Sequence, residues 1–142
     1  MAIELTRAQC SALVEEALDA RVYAYTPYSG FAVGAALLDI NGTVWTGVNI
    51  ENAAYGPTNC AERTAFFKAV SEGVTEFIAI AVVGGPMGEE PYDFCAPCGV
   101  CRQVMREFCG DDFKIILAKP GEMKVYTLSE LLPESFSPQN LQ

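Results

Sequence analysis

The chain has 142 residues, of which 51% are hydrophobic and 19% are charged, and this composition excludes a disordered tail or linker because the apolar side chains are numerous enough to fill a core. Its net charge of −9 and the absence of a dense Lys/Arg stripe argue against stable binding to nucleic acid or to an anionic membrane. The chain contains no histidine, which excludes Ser-His-Asp triads, Cys-His dyads and every metal site with a histidine ligand.

The N-terminal region predicts a cytoplasmic protein. The start, MAIELTRAQC, lacks a basic stretch followed by an apolar one, and no apolar run of the chain approaches the about 20 residues of a membrane span. In a reducing cytoplasm, we expect the six cysteines to be metal ligands or buried thiols rather than disulfides.

The first half of the chain predicts a helix followed by a β-hairpin. Apolar residues at helical spacing, from Leu13 to Tyr25, predict a helix that begins after the N-cap Thr6 and ends at residues 26–30. Two apolar runs, 31–40 and 43–48, flank an Asn-Gly pair, which is the strongest short hairpin signal. We therefore expect two antiparallel strands.

The second half alternates predicted helices and strands without a repeat or linker. We expect a helix near 60–72, a buried strand at 77–83, a long Gly/Pro-rich loop at 84–97, a helix from Pro97 to about 109, strands at 113–118 and 124–127, and a short helix at 129–132. This order predicts an α/β fold in which one mixed sheet is covered by helices, and a single domain over residues 1–142.

Three cysteines lie at the starts of two predicted helices. Cys98 and Cys101 form a C-x-x-C in a first helical turn, which places both sulfurs on one face, and Cys60 opens the preceding helix. A strand between the two helices would bring their starts side by side. Three thiolates would then bind zinc and leave one position for water, the arrangement of a catalytic site.

Glu62 is the candidate general acid and base. It lies two residues after Cys60 at a helix start, from which its carboxylate would reach a water molecule in front of the metal. The alternative interpretation is that Asn59 and Glu62 form a capping box, and the two roles are not mutually exclusive.

The cysteine pattern leaves other metal and redox interpretations open. Cys95 extends the motif to C-x-x-C-x-x-C, a spacing of iron–sulfur proteins, and with Cys60 it would complete a closed four-cysteine zinc site. Pro97 argues against both, because it holds Ala96 in extended backbone and starts a helix after Cys95. The third cysteine and the adjacent glutamate argue against a thioredoxin-type redox pair.

Three motifs follow one another along the chain: NIENAAY at 49–55, CAERTA at 60–65 and PCGVCRQ at 97–103. Together they resemble the small homotetrameric cytidine deaminases, and the resemblance extends from residue 25 to residue 133. It implies a three-layer α/β/α cytidine deaminase-like fold with a five-stranded mixed sheet and one Zn²⁺ per subunit. The implied reaction is hydrolysis of cytidine and deoxycytidine to uridine and deoxyuridine with release of ammonia, a step of pyrimidine salvage.

The resemblance also implies roles for individual residues. The implied zinc ligands are Cys60, Cys98 and Cys101, with Glu62 as the catalytic proton shuttle. Arg63 matches an arginine that donates to a ligand sulfur and offsets the net negative charge of zinc with three thiolates; taken alone, it would be a surface helix arginine. The implied substrate-binding residues are Asn49 and Glu51 for the sugar, the backbone of Ala61 for the base, and the aromatic rings of Phe31, Tyr55 and Phe136 around the nucleoside.

The implied partners are a small nucleoside and further copies of the chain. Tyr55 and Phe136 match positions that reach a neighbouring subunit's site, so we expect a homotetramer whose sites are completed by neighbouring subunits, with no nucleic-acid or membrane partner. Two alternative functions stay open. Deaminases of blasticidin-like aminoacyl nucleosides share the zinc motifs, and a non-catalytic protein would use zinc only to join two helices.

Overall fold

The computed structural model describes residues 4–142, so the first three residues of the expected domain and of the segment MAIELTRAQC lie outside the described part. The helices are α1 (Arg7–Arg21), α2 (Ala61–Ser71), α3 (Gly99–Phe108) and the short α4 (Leu128–Leu131). The strands are β1 (Phe31–Asp39), β2 (Val44–Val48), β3 (Phe77–Pro86), β4 (Lys114–Lys119) and β5 (Glu122–Thr127), and a 3-10 turn (Pro138–Leu141) lies near the end. Within residues 4–142, no helix combines the length and the apolar character that crossing a membrane requires.

The strands form one five-stranded mixed sheet in the order β2-β1-β3-β4-β5. The β3–β4 pair is parallel, and α3 is the crossover that connects these two strands. The other neighbouring pairs are antiparallel. The predicted α/β fold with a five-stranded mixed sheet is confirmed.

The hairpin between β1 and β2 is fixed by the carboxylate of Asp39. It accepts hydrogen bonds from the backbone N–H groups of Asn41 (2.8 Å) and Thr43 (3.0 Å) and from the indole Nε1 of Trp45 (2.9 Å). Gly42 completes the turn with a φ of +89°, which glycine adopts without strain. Burial alone would raise the pKa of Asp39, but these hydrogen bonds outweigh burial and hold the pKa below its usual value.

Helices cover both faces of the sheet. On one face, α1 packs through Cys10, Leu13 and Ala17 against small and branched residues of β1, β3 and β4. On the other face, α2 and α3 contribute Phe66 and Met105 to a larger core with alternate residues of the same strands. The two faces will be called the α1 face and the α2/α3 face.

Two glycines allow the helices to approach the first two strands closely. A Cβ atom on Gly34 in β1 would be 2.0 Å from the carbonyl oxygen of Ala17 in α1. A Cβ atom on Gly47 in β2 would be 2.3 Å from the carbonyl oxygen of Ala61 in α2. Backbone therefore packs against backbone on both faces, and Gly47 sets the position of the first turn of α2.

Some predicted boundaries are wrong by a few residues. The helix α1 ends at Arg21 rather than after Tyr25, because the backbone N–H of Tyr25 donates to Asn49 in a short bridge. The strand β3 continues to Pro86 rather than ending at residue 83, because residues 84–86 pair with the start of β1. Pro97 precedes the N-cap of α3 instead of lying in its first turn.

Candidate active site

Two helices begin close together, and each begins at a cysteine. Cys60 is the N-cap of α2 and Cys98 is the N-cap of α3, and both have extended backbone. Cys101 follows in the first turn of α3, which returns its thiol to the side of Cys98. The free N–H groups and the positive dipole end of each helix favour negative charge at this place.

The geometry of the three thiols fits a zinc ion. The Sγ atoms of Cys60, Cys98 and Cys101 all lie within 4.8 Å of one another. The Sγ of Cys98 is 3.9 Å from that of Cys60 and 3.6 Å from that of Cys101. Three sulfurs bound tetrahedrally at about 2.3 Å from one zinc ion are about 3.8 Å apart, which is close to both of these distances. The predicted convergence of three thiols at two helix starts is confirmed.

The three thiols and Arg63 form a polarised cluster. The Nη2 of Arg63 donates to the Sγ of Cys60 at 3.3 Å. The hydrogen bond with Cys101, together with the contacts of Arg63, lowers the pKa of Cys60 to about 5, although partial burial opposes this. The hydrogen bond with Cys60 and burial raise the pKa of Cys101. Arg63 therefore lies on a thiol sulfur, as the resemblance implied, and not on the open surface.

Glu62 is buried beside this cluster, with an exposed fraction of only 4%. Burial, and then the negative charge of Cys60, raises the pKa of Glu62 to about 7. The proposed capping box is not formed, because the N-cap is Cys60 without a side-chain capping bond and the Asn59 amide instead donates to the Thr64 hydroxyl at 3.3 Å. The Asn59–Glu62 capping box therefore does not explain the burial of this carboxyl, whose pKa of about 7 places it between its acid and base forms next to the thiols.

Cys95 lies outside the cluster of three thiols. Its side chain packs over Gly84, where a Cβ atom would be 2.8 Å from the sulfur. Burial, and then the charges of Glu62 and Cys60, raises the pKa of Cys95 to about 11, so this thiol stays neutral. Within residues 4–142, the group of metal-ligating side chains contains three cysteines and not four, as the position of Pro97 predicted.

The two candidate sugar-binding side chains are held against the chain segment around the start of β1. The amide of Asn49 accepts from the N–H of Val33 and donates to the carbonyl oxygen of Phe31, both at 2.9 Å. The carboxylate of Glu51 accepts from the backbone N–H of Tyr28 (2.9 Å) and from the N–H and hydroxyl of Ser29. The Ser29 hydroxyl comes first among the hydrogen bonds that lower the pKa of Glu51, so this carboxylate is fixed in its ionised form.

The candidate base-contacting and aromatic residues divide into two groups. Ala61 is fully buried at the start of α2, and the ring of Phe31 lies beside Gly84 and Cys95 next to the cluster. Tyr55 and Phe136 are more exposed, at 72% and 58%, than Phe31, at 43%. Tyr55 has a φ of +62°, a left-handed conformation that costs a non-glycine residue of order 1 kcal/mol or more and is concentrated at functional sites.

Sequence reasoning missed two side chains that organise the end of the chain. Arg102 donates from Nε to the carbonyl oxygen of Pro97 (2.8 Å) and from Nη1 to that of Leu131 (2.7 Å). Gln103 donates from Nε2 to the carbonyl oxygen of Phe136 (2.9 Å). The available signal was their position directly after the second cysteine of the PCGVCRQ motif, where α3 is already anchored to the cluster.

Comparison with known proteins places this site in a family. A sequence model of the cytidine and deoxycytidylate deaminase zinc-binding region matches residues 7–117. The chain belongs to this family. The matched region contains the three thiols, Glu62 and Arg63, whereas Phe136 lies beyond it.

Relatives of the family resemble the chain over nearly its whole length. It is 52% identical over 130 residues to a cytidine deaminase of Halalkalibacterium halodurans, which covers 91% of this chain and 95% of the relative. It is 51% identical to a cytidine deaminase of Sporosarcina psychrophila, with 91% and 92% covered. The crystal structure of cytidine deaminase from Burkholderia pseudomallei has a TM-score of 0.82 and 47% identity, and the match covers 93% of this chain and 100% of that one.

Proposed function

We propose that this protein is a zinc-dependent cytidine deaminase, which hydrolyses cytidine and deoxycytidine to uridine and deoxyuridine with release of ammonia. The observation that carries the proposal is the buried Glu62 beside three thiols spaced for zinc, in a chain about half identical to cytidine deaminases. Cys60, Cys98 and Cys101 would hold the ion. When bound, zinc supplies a Lewis acid that makes a hydroxide nucleophile available near neutral pH.

Glu62 is the proton shuttle of the proposed reaction. With a pKa of about 7, its carboxylate accepts a proton from water and, as the acid, delivers it to ring atom N3 of the base. Protonation at N3 makes C4 a better electrophile for the hydroxide. A further proton passed through Glu62 allows the C4 amine to leave as ammonia, so that water is consumed and ammonia is released in each turnover.

Arg63 and the substrate-binding residues support this chemistry. The hydrogen bond from Arg63 to the Cys60 sulfur withdraws negative charge from a ligand set that would otherwise weaken the acidity of the metal. Asn49 and Glu51 would bind the sugar hydroxyls, the backbone of Ala61 would contact the base, and Phe31 would pack on the nucleoside. The buried position of Ala61 next to Cys60 favours its role, and the half-exposed ring of Phe31 near Cys95 is accessible to a ligand.

The proposed assembly is a homotetramer of one-domain chains, located in the cytoplasm. The exposed rings of Tyr55 and Phe136 favour an assembly in which they enter a neighbouring subunit's site. The six free cysteines favour a reducing compartment. Sedimentation of the purified protein tests the assembly, and a monomer with full activity would contradict it.

Replacement of Glu62 by Gln tests the proposed chemistry. We expect wild type to convert cytidine to uridine, measured by ultraviolet absorbance, and E62Q to lose about 10²- to 10⁴-fold in kcat while it keeps its zinc, because Gln cannot transfer a proton. The control is E72Q at the exposed end of the same helix, which should behave as wild type. Full activity of E62Q would refute the shuttle. Zinc-loaded wild type that deaminates only blasticidin-like nucleosides, or nothing at all, would favour one of the alternative functions.

A further inference from the structure

Arg21, the last residue of α1, is buried with an exposed fraction of 8%, and its side chain donates hydrogen bonds to backbone carbonyl oxygens. Its Nε donates to the carbonyl oxygen of Ala32 (2.8 Å), its Nη1 to that of Glu89 (2.8 Å) and its Nη2 to that of Pro86 (2.6 Å). Each is a charge-assisted bond, the strong class in proteins. One guanidinium therefore joins the end of α1 to the start of β1, the end of β3 and the following loop.

These bonds reinforce the last pair of the β1–β3 ladder. Phe31 pairs with Pro86 there, and proline has no N–H with which to extend the ladder. The Arg21 guanidinium instead donates to a carbonyl oxygen on each strand, that of Ala32 in β1 and that of Pro86 in β3. A backbone bond from Met87 N–H to the Gly30 carbonyl (2.7 Å) closes the same corner. Without the guanidinium, the backbone on either side of Phe31 would lose two of its charge-assisted contacts.

Arg21 and the ring of Phe31 lie on opposite faces of the sheet at the end of the β1–β3 ladder, which will be called the Phe31 corner. A Cβ atom on Gly84 would be 3.1 Å from the Phe31 ring and 2.8 Å from the Cys95 sulfur, whereas one on Gly85 would be 3.4 Å from the Arg21 guanidinium. Successive residues of a strand face opposite sides of the sheet, so Arg21 lies beneath the strand end over which Phe31 packs. The backbone around the Phe31 ring is thus held by Arg21 at the neighbouring Ala32 carbonyl and by the Asn49 amide at the Phe31 carbonyl.

We propose that Arg21 is a positioning residue for nucleoside binding, which holds the Phe31 ring in place from the α1 face of the sheet. This inference rests on the proposed function, since Phe31 contacts substrate only if the protein is a nucleoside deaminase. Arg21 touches neither the thiols nor Glu62 through the hydrogen bonds described above, so its loss should weaken substrate binding and leave the chemical step unchanged.

The first test is Arg21→Met in the full-length, zinc-loaded protein. We expect KM for cytidine to rise about tenfold, one decade of binding, while kcat stays within about twofold and the zinc content equals that of wild type. Arg21→Lys should restore part of the loss, because an ammonium keeps the charge but not the three-way geometry of the guanidinium. Loss of zinc with unchanged KM would overturn the proposal, because Arg21 would then act through the metal site.

A matched control separates positioning from stability. Leu13, on the same helix α1, is 3% exposed and packs in the core of the α1 face. Its side chain has no polar atom, so it forms none of the hydrogen bonds by which Arg21 holds the backbone. Leu13→Ala should lower the melting temperature at least as much as Arg21→Met but leave KM at the wild-type value. If both variants change KM equally, or if neither does, Arg21 is only a structural residue and the proposal fails.

Hydrogen exchange tests the proposal without turnover. In Arg21→Met, the amides of residues 29–34 and 87–90 should exchange faster than in wild type, and in Leu13→Ala they should not exchange selectively faster. Unchanged exchange in both segments would overturn the positioning role. If wild type does not deaminate cytidine, the proposed function fails on that result, and the exchange comparison alone decides whether Arg21 holds the Phe31 corner.

Discussion

One cysteine from each face of the sheet shows how its position changes the chemical state of a thiol. On the α1 face, Cys10 lies inside α1, and burial raises its pKa. On the α2/α3 face, Cys60 lies at a helix start, where hydrogen bonds with Cys101 and Arg63 lower its pKa to about 5. The same side chain is an inert apolar group in one place and a metal-binding thiolate in the other. The two cysteines differ in their position on a helix, inside it or at its start, and in the polar groups that contact the sulfur.

Within residues 4–142, the number of helices on each face explains why helix starts and thiols meet on the α2/α3 face and not on the α1 face. The α1 face is covered mainly by one helix, whose middle packs on the sheet through small residues. The α2/α3 face is covered by two helices whose starts meet, so that free N–H groups and three thiols come together. We therefore expect substitutions near the two helix starts to affect zinc binding and activity, and core substitutions on either face to affect stability. Matched variants on the two faces test this division.

The largest contrast is expected from the same substitution made on each face. Cys101→Ser should abolish zinc binding and deamination, because a serine hydroxyl at neutral pH is a far poorer zinc ligand than a thiolate. Cys10→Ser, at a similarly buried thiol, should only lower the melting temperature. Zinc content by elemental analysis and turnover by absorbance give the answer. Retention of stoichiometric zinc by Cys101→Ser would contradict the three-thiol site.

A second contrast uses the glycines that let each helix touch the sheet. Gly47→Ala would place a Cβ atom 2.3 Å from the Ala61 carbonyl and push back the first turn of α2, which carries Cys60 and Glu62. We expect a loss of about 10²-fold in kcat/KM together with weaker zinc binding, since a displacement of about 1 Å has effects of that size.

Gly34→Ala makes the equivalent clash with α1, at 2.0 Å from the Ala17 carbonyl. It should destabilise the fold by about 1–3 kcal/mol or more and leave the zinc affinity unchanged. Because α1 carries Arg21, a moderate rise in KM is also expected. Zinc affinity measured by competition with a chelator, on folded protein identified by circular dichroism, distinguishes the two variants. Equal zinc affinity in both would show that the first turn of α2 tolerates displacement.

The sequence predicted the parts of this molecule whose signals are local. The Asn-Gly pair predicted the hairpin, and the cysteines at helix starts predicted the thiol cluster, because helical spacing alone places Cys98 beside Cys101. The extension of β3 was missed, since Gly84 and Gly85 are typical of loops when the returning loop that packs on them is not visible.

The interactions that the sequence did not reveal depend on distant segments. A basic residue near a helix end, such as Arg21, normally suggests an exposed cation at the negative end of the helix dipole. Its burial follows only from the return of residues 86–89, about 65 positions later in the chain. The hydrogen bond from Ser29 to Glu51 joins the segment 26–30, which ends the first predicted helix, to the motif at 49–55, and no spacing rule predicts that they meet.

The smallest expected effect concerns β1. It tests whether substrate binding depends on the whole strand or only on the end that carries Phe31. Asp39 lies at the other end of β1 from Phe31, and its folded pKa is below the value of about 3.9 for an unfolded aspartate. Its ionised form therefore stabilises the fold above about pH 4, and this contribution is lost as the pH falls through the folded pKa. Asp39→Asn should cost about 2 kcal/mol at pH 7.

Urea unfolding of wild type and Asp39→Asn between pH 7 and pH 3 measures this contribution. The difference between the two proteins should shrink as the pH falls, because protonation removes from wild type what the substitution removes at every pH. The exposed Asp112→Asn is the control and should follow wild type throughout. Zinc content and KM of Asp39→Asn should be those of wild type, since its hydrogen bonds hold only the hairpin. A changed KM would mean that the hairpin end of β1 is coupled to the Phe31 end, and that the site is not confined to the place where the two helix starts meet.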